Sequence, residues 1–424
     1  MNITLVNTFE YKGGAAIACK RLQMALKAAG VSAELLVQDA QPKWEHTTTA
    51  LTAWQATFSK LRLAVEIANH LRILQSSTNK FAFSSAIAGV DISRHPLIQH
   101  ADIVHLHWIN QGFLSLHTLQ KLAAIQKPIV WTLHDMWAFT GGCHHSRTCN
   151  HYQQSCGNCW YLKHPATNDY SYRIWQQKKQ LFQQLNLHVV TPSKWLQRCA
   201  QQSSLLQQVP IQVIPNPLNT DDFQPTTDKN FVRQQLHLPL NKFIIAMSAF
   251  KVTDARKGFQ QLREAIHLLL AQRPELQSII HLVLIGDIKE PQDLSLPISF
   301  SCTGYLQEQA QIISLYQAAD IFVLPSLEEN LPNTIMEALA CGIPALAFNV
   351  GGIADLIHHQ YNGYLAKYPS PDDLANGILW LHDTLQQSQN LVANARKTVE
   401  KKFTFQTIAQ QYITLYHDII PTLT

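Results

Sequence analysis

The stretch Ser326-Leu-Glu-Glu-Asn-Leu-Pro-Asn-Thr-Ile-Met-Glu-Ala-Leu-Ala-Cys-Gly342 decides how this chain folds. Just ahead of it, Asp320-Ile-Phe-Val-Leu-Pro325 is a short apolar run that reads as a buried strand. The spacing then predicts a helix over Asn333 to Ala340, closed by Gly342 and stopped by Pro344. A strand therefore feeds a loop, and the loop feeds a helix start, with Glu329 on the loop and Glu337 one turn into the helix. Such a terminus offers unpaired N–H groups and positive dipole, which suit a phosphate. Carboxylates would repel that phosphate, so the two glutamates are expected to accept hydrogen bonds from hydroxyls on either side of it, a sugar on one and a ribose on the other. The plainer alternative is an acidic pair that only complements the helix dipole.

Working outward, apolar runs alternate with helix-like segments almost throughout. Asn2 to Asn7, Ala33 to Gln38, Asp102 to His107, Pro128 to Leu133 and Leu187 to Thr191 form one series of strand-like runs. Lys242 to Ala249, His281 to Ile285, Asp320 to Leu324 and Ile343 to Phe348 form a second, with helices expected at Lys257 to Ala271, Glu308 to Ala318 and Asn333 to Ala340. This is the pattern of parallel sheets with crossover helices. Two doubly wound α/β halves are expected, 1–207 and 208–404, and resemblance to two-domain proteins of known fold implies that a helix in 405–424 returns to the first. The boundary is placed in the Gln/Ser-rich stretch Ser203 to Pro210. Open sheets bind ligands outside the carboxyl ends of their strands, so the cleft between the halves is the expected site.

The block around the two glutamates resembles the Glu-x7-Glu motif of glycosyltransferase family 4, a family of retaining enzymes with the two-domain GT-B fold. The resemblance implies that Glu329 contacts the donor sugar and Glu337 the nucleotide ribose, with Leu331, Asn333 and Thr334 beside the diphosphate. It gives Lys257, in Arg256-Lys-Gly258, the lysine that meets the leaving diphosphate, where a fixed cation stabilises developing charge. The family's arginine lies several residues earlier, where this chain has Val252, so the adjacent Arg256 is assigned as the second cation. Tyr305, in Gly304-Tyr-Leu306, stands where relatives hold the base through backbone groups, and Asn216 matches the asparagine that opens the second domain. Gly13 and Gly14 match the glycine loop after the first strand. His134, ending Val130-Trp-Thr-Leu-His134, matches a histidine against the donor sugar. His107, Trp108 and Asn110 are candidates for an acceptor pocket, or equally for loop and core packing.

Of the 424 residues, 46% are hydrophobic, enough for sizeable cores in two domains, and 15% are charged. The net charge of +4 comes without a dense basic run, so a nucleic-acid partner is not expected. The start lacks a signal-peptide pattern and no span is apolar over about twenty residues, which makes a cytoplasmic protein the expectation, peripheral at the inner membrane face in one reading. Catalysis is expected to need no metal. Cys143, Cys149, Cys156 and Cys159 crowd into one loop with three histidines, a candidate structural zinc site, with disulfides or free thiols as alternatives. From Leu51 to Gln75 runs an amphipathic pattern with Trp54, Phe58, Leu61, Val65 and Ala68 in a stripe; packing on the sheet is the first reading and an anionic membrane the second.

These readings converge on transfer of a sugar from a UDP- or GDP-sugar to a glycan or lipid-linked acceptor, in bacterial surface-polysaccharide assembly. The implied mechanism is attack by the acceptor hydroxyl on the face the diphosphate leaves. A non-catalytic sugar-binding scaffold and a nucleotide-sugar epimerase are the rival readings.

Overall fold

The computed structural model describes residues 1–40, 47–51, 55, 58–288, 294–306, 308–388 and 390–420. They form two compact units: Met1–Pro217 with Phe405–Thr424, and Leu218–Thr404.

In the first unit seven strands pair in parallel in the order β3-β2-β1-β4-β5-β6-β7. These are β1 (Asn2–Phe9), β2 (Ser32–Asp39), β3 (Thr47–Thr49), β4 (Ile103–Leu106), β5 (Ile129–Thr132), β6 (Leu187–Thr191) and β7 (Ile211–Val213). Because strand side chains alternate between faces, one face sends Ile3, Leu5, Leu35, Val37 and Ile103 into one core cluster. The other sends Val6, Leu36, Val104 and Leu106 into a second cluster. A parallel sheet buried on both faces needs apolar side chains at nearly every position, which is why these runs are continuous rather than alternating. The helix Phe405–Ile419 lays Ile408, Tyr412 and Tyr416 on the first of these faces. It is bonded there as well as packed: His105 Nδ1 meets the Tyr416 hydroxyl at 2.7 Å, and Thr132 Oγ1 meets that of Tyr412 at 2.9 Å.

The division after Pro217 falls ten residues beyond the expected 207. The reason is β7, which pairs with β6 through Val189–Ile211 and Thr191–Val213 and so draws 211–213 into the first sheet. Leu218 is the first residue of the second unit, and its N–H donates to the Phe403 carbonyl at 2.8 Å.

The second unit holds six parallel strands in the order β10-β9-β8-β11-β12-β13. They are β8 (Phe243–Lys251), β9 (Ile280–Asp287), β10 (Ser299–Cys302), β11 (Ile321–Leu324), β12 (Ala345–Phe348) and β13 (Gly363–Ala366). Again the faces alternate, with Ile245, Met247, Ile321 and Val323 in one cluster and Ile244, Ala246, Phe322 and Leu324 in another. The order reverses between β8 and β11. Loops leaving the carboxyl ends of these two neighbours diverge to opposite faces and open a crevice between them. In the first sheet the reversal lies between β1 and β4.

One expectation is overturned in the first unit. Of the amphipathic stretch 51–75 the described helix is Ser59–Ile73, and Trp54 lies outside the described residues. Phe58, Leu61 and Val65 point outward at 44%, 55% and 46% exposure, and Leu71 joins them. The buried face is the polar one. Glu66 accepts from the Ala86 N–H at 2.9 Å, and His70 Nε2 accepts from the Ser85 N–H at 3.2 Å.

Candidate functional site

In the second unit the crevice loops are laced together by close backbone approach. Gly258 has φ +70°, and a Cβ placed on it would lie 1.8 Å from the Pro325 carbonyl oxygen. At Gly351, φ +60°, a Cβ would lie 1.7 Å from the carbonyl oxygen of Glu329. Only glycine fits either position, by conformation and by space. Across these contacts the Leu327 N–H donates to the Arg256 carbonyl at 2.7 Å and the Gly352 N–H to that of Asn330 at 2.9 Å. The loops after β8, β11 and β12 are thus one backbone assembly.

That assembly brings Lys257 to Glu329. The ammonium donates to Oε1 at 2.5 Å, with both side chains partly exposed. Arg256 points instead to Asp254, its guanidinium donating to Oδ2 at 2.8 Å. Asp254 also caps the turn Ala255–Lys257 by accepting from the Arg256 N–H at 3.0 Å. Burial would raise the Asp254 carboxyl, but hydrogen bonds from Arg256 outweigh it and hold the group below the usual carboxylate range. In return the Asp254 hydrogen bond raises Arg256. Asp254 was not singled out from the sequence, since a lone aspartate in a polar loop carries no pattern.

The helix Asn333–Ala340 begins with Pro332 as its cap residue, and no side chain caps it. Its start, Asn333 and Thr334, follows directly on the loop that carries Glu329, and the first turn of a helix leaves backbone N–H groups without intrahelical partners. Glu337 is buried one turn further in, where its Oε2 accepts from the Tyr316 hydroxyl at 2.9 Å. Tyr316, on the helix Gln309–Ala318, is itself fully buried edge-on to Phe322. The Leu331 side chain is buried in the apolar core, so a ligand beside this residue would meet its backbone. Tyr305 is exposed, and its ring meets the equally exposed Phe250 edge to face at 5.3 Å between centroids. This aromatic pair, near the ends of β8 and β10, offers an exposed apolar corner. Asn216 is displaced from expectation, since it closes the first unit rather than opening the second.

In the first unit, the loops after β1, β4 and β5 carry the other candidates. Gly13, at φ +92°, starts the helix Gly14–Ala28 with no side-chain cap, and a Cβ there would meet nothing within 4 Å. Its requirement is conformational, not steric. His107 Nδ1 and His134 Nε2 share a hydrogen bond at 2.9 Å, with their rings stacked. Burial pushes His134 down to about 4, against the pull of Asp135, and drives His107 well below its ordinary value. Both imidazoles are therefore neutral at pH 7, and one donates to the other. His105, lowered to about 3 chiefly by burial, is held between Thr132 and Tyr416 and is a core residue. Asp135 binds the indole N–H of Trp108 at 2.9 Å and His144 Nδ1 at 2.7 Å. Trp108 also stacks on Phe9. Among the described residues, the buried Asn110 side-chain nitrogen and His107 Nε2 have no hydrogen-bond partner. Of the three acceptor candidates, then, Asn110 has an unsatisfied donor, Trp108 is fixed by Asp135, and His107 supports His134.

Residues 12–222 match the sequence model of the family described as Glycosyltransferase Family 4, and residues 228–398 match that of Glycosyl transferases group 1. The chain belongs to glycosyltransferase family 4. Named relatives include N-acetyl-alpha-D-glucosaminyl L-malate synthase of Bacillus anthracis, 28% identical over 186 residues, which is 42% of this chain and 46% of that protein. A second is the N,N'-diacetylbacillosaminyl-diphospho-undecaprenol alpha-1,3-N-acetylgalactosaminyltransferase of Campylobacter jejuni, 33% identical over 34% of this chain and 39% of that one. The matched segments thus span less than half the length of these curated relatives. Among solved structures, sucrose-phosphate synthase of Thermosynechococcus elongatus superposes with a TM-score of 0.68 at 19% identity, covering 99% of this chain and 98% of that chain. Anabaena HepE in complex with UDP-glucose gives 0.65 at 19% identity, covering 99% and 100%. These likenesses establish the fold of this family 4 member as GT-B, two parallel-sheet Rossmann-like domains.

The four loop cysteines, Cys143, Cys149, Cys156 and Cys159, are free thiols that line one small cavity together with His151. Among the described residues no three His, Cys, Asp or Glu side chains are gathered into a finished metal shell. Nor, among those residues, is any helix long and apolar enough to cross a membrane.

Proposed function

We propose that this chain is a retaining glycosyltransferase that moves a sugar from a nucleotide-diphosphate sugar to a glycan or lipid-linked acceptor. The observation that carries the reading is the contact of Lys257 with Glu329 at the uncapped start of the helix Asn333–Ala340, with Glu337 buried one turn beyond. Departure of a nucleoside diphosphate puts charge on the β-phosphate, and a preoriented ammonium and helix amides stabilise charge that forms beside them. Lys257 already sits in place, held by a carboxylate whose second oxygen can accept a sugar hydroxyl. Glu337, with Oε2 fixed by Tyr316, is oriented to take a ribose hydroxyl. The exposed Phe250–Tyr305 pair suits a base. Neutral His134, oriented by His107, can donate to or accept from a sugar hydroxyl without adding charge.

The named relatives act on diphospho-undecaprenol-linked sugars in two cases, one from Campylobacter jejuni and one from Escherichia coli, and HepE binds UDP and UDP-glucose. A lipid-linked acceptor and a UDP-sugar are accordingly the first candidates. The outward stripe Phe58, Leu61, Val65 and Leu71, with Lys60 and Arg72 on the same helix, supports peripheral contact with an anionic membrane. Isothermal titration with UDP, GDP and ADP tests the donor assignment. Binding of one nucleoside diphosphate that weakens about tenfold or more in Glu337→Ala is expected, whereas unchanged affinity in that variant overturns it. Anomeric analysis of the product by NMR tests retention, and an inverted linkage refutes it.

A further inference from the structure

The cysteine loop that follows β5 is given no part in the proposed donor chemistry, yet its backbone is tightly constrained. Three consecutive residues, Cys156, Gly157 and Asn158, have positive φ of 53°, 90° and 47°. For the two non-glycine residues that conformation costs on the order of 1 kcal/mol each, so the surroundings must impose it. They do so from outside. The N–H of Gly157 donates to Ser171 Oγ at 3.0 Å, that of Cys159 to Asp169 Oδ2 at 2.8 Å and that of Asn158 to the Ala166 carbonyl at 2.8 Å. The Gly141 N–H donates to Cys156 Sγ at 3.1 Å, a sulfur used as acceptor. With its backbone tied outward, the Cys-x2-Cys turn joins Cys143, Cys149 and His151 around a cavity of about 20 Å³. That is room for roughly one water-sized sphere.

A second observation points to negative charge at this place. Lys178 is completely buried, its ammonium donating to the carbonyls of Trp137 and Thr140 and lying over the Trp137 ring. Among the described residues it makes no salt bridge, and the acidic groups that act on it are Cys156, Cys143 and Asp135. Asp135 is already shared between Trp108, His144 and the Trp137 N–H. A buried ammonium is costly to keep charged, and with Asp135 shared among other donors, thiolates here would supply further negative charge.

We propose that Cys143, Cys149, Cys156 and Cys159 bind one zinc ion as a tetrahedral tetrathiolate, with Lys178 as its buried counter-charge. Four S–H bonds break, four Zn–S bonds form and four protons leave to solvent, with no change in oxidation state. The site carries two negative charges, one of which Lys178 offsets. The thiols line the cavity, but among the described residues no three His, Cys, Asp or Glu side chains are placed to hold a metal, so binding requires the thiols to turn inward as they lose their protons. Cys143 lies nine residues after His134, and its neighbour His144 binds Asp135, the residue next to His134, so the ion would steady that connection. This inference stands on the loop alone and does not depend on the donor or the reaction.

The test is zinc content of the purified full chain by mass spectrometry after dialysis against a chelator. About one zinc per chain is expected, falling at least tenfold in the double variant Cys156→Ser, Cys159→Ser. Should that variant not fold, titrating the wild-type protein with a mercurial reagent gives the same answer, since zinc release must track modification of four thiols. Cobalt substitution should give thiolate-to-metal charge-transfer bands and intense tetrahedral d–d bands. His151→Ala should keep its zinc, and Lys178→Met should hold it about tenfold less tightly. Four reactive thiols with no zinc, an intact mass reduced by disulfide formation, or loss of zinc in His151→Ala would each overturn the tetrathiolate.

Discussion

Replacing Lys257 by methionine keeps most of the length of the side chain and removes its ammonium, charge and hydrogen-bond donors together. At 2.5 Å two unit charges attract by about 1.7 kcal/mol at the dielectric of water and about 7 kcal/mol at an effective constant near 20, before desolvation is subtracted. Both side chains reach solvent, at 29% and 15% exposure, so the net contribution to folding is expected near that of a surface pair, about 1 kcal/mol or less. Catalysis should respond quite differently. On the role proposed for it, the ammonium is worth little against Glu329 in the resting protein but meets the β-phosphate as its charge grows, and loss of one such group costs about 10²- to 10³-fold in rate, roughly 3–4 kcal/mol. The assay is turnover of the preferred UDP- or GDP-sugar with a fixed acceptor, alongside urea unfolding of the same preparation. A rate loss under tenfold in a variant of normal stability refutes the role given to Lys257. So does a stability loss of several kcal/mol that accounts for the inactivity.

Gly351→Ala should destabilise the second unit by about 2–4 kcal/mol, because it adds left-handed strain to a Cβ placed 1.7 Å from the Glu329 carbonyl; urea unfolding of the variant measures it, and a loss below 1 kcal/mol would show that the loops part easily. Tyr316→Phe removes the hydroxyl that fixes Glu337 and should weaken nucleoside-diphosphate binding about five- to tenfold by calorimetry, for a lost hydrogen bond of about 1–1.5 kcal/mol to a charged acceptor. The buried histidines predict acid sensitivity: His105 and His134 titrate near 3 and 4 when folded and near 6.5 when unfolded. The unfolded chain then binds more protons below about pH 6.5, so stability is full above that pH and falls as pH drops toward 4, by up to about 1.4 kcal/mol per pH unit for each histidine. Urea midpoints between pH 7 and 4.5 should show that slope, and His105→Asn should flatten it. Leu61→Glu with Val65→Glu should reduce sedimentation with anionic vesicles about tenfold while leaving the urea midpoint unchanged, since both side chains are already exposed.

The parallel α/β architecture was legible because a sheet buried on both faces demands uninterrupted apolar runs, and β1, β5, β6 and β11 are such runs. The Glu-x7-Glu spacing was legible because strand, loop and helix lie in one continuous stretch. Partners joined only through space were not. Asp254 beside Arg256 and Tyr316 beneath Glu337 carry no local pattern, and the glycines that lace the loops meet carbonyls far away in sequence. β7 is a three-residue edge strand with a single neighbour, too short to announce itself, and it moved the division to Pro217. The helix Ser59–Ile73 is the instructive case. Periodicity reported two faces but not which one is covered, and the covered face proved to be the polar one because Glu66 and His70 find backbone partners there.

The chain enters the second unit at Leu218 and leaves it at Thr404, and those two residues form a bridge to each other. Topologically the nucleotide-side module is an insert carried inside the gene segment for the first. During synthesis residues 218–404 are all joined before Tyr412 and Tyr416 are added. Until they arrive, His105 and Thr132 lack their hydroxyl partners and one face of the first sheet stays wet. The part translated first is therefore the part completed last, and a stop codon just after Thr404 would spare the later-encoded module while leaving the earlier one unfinished.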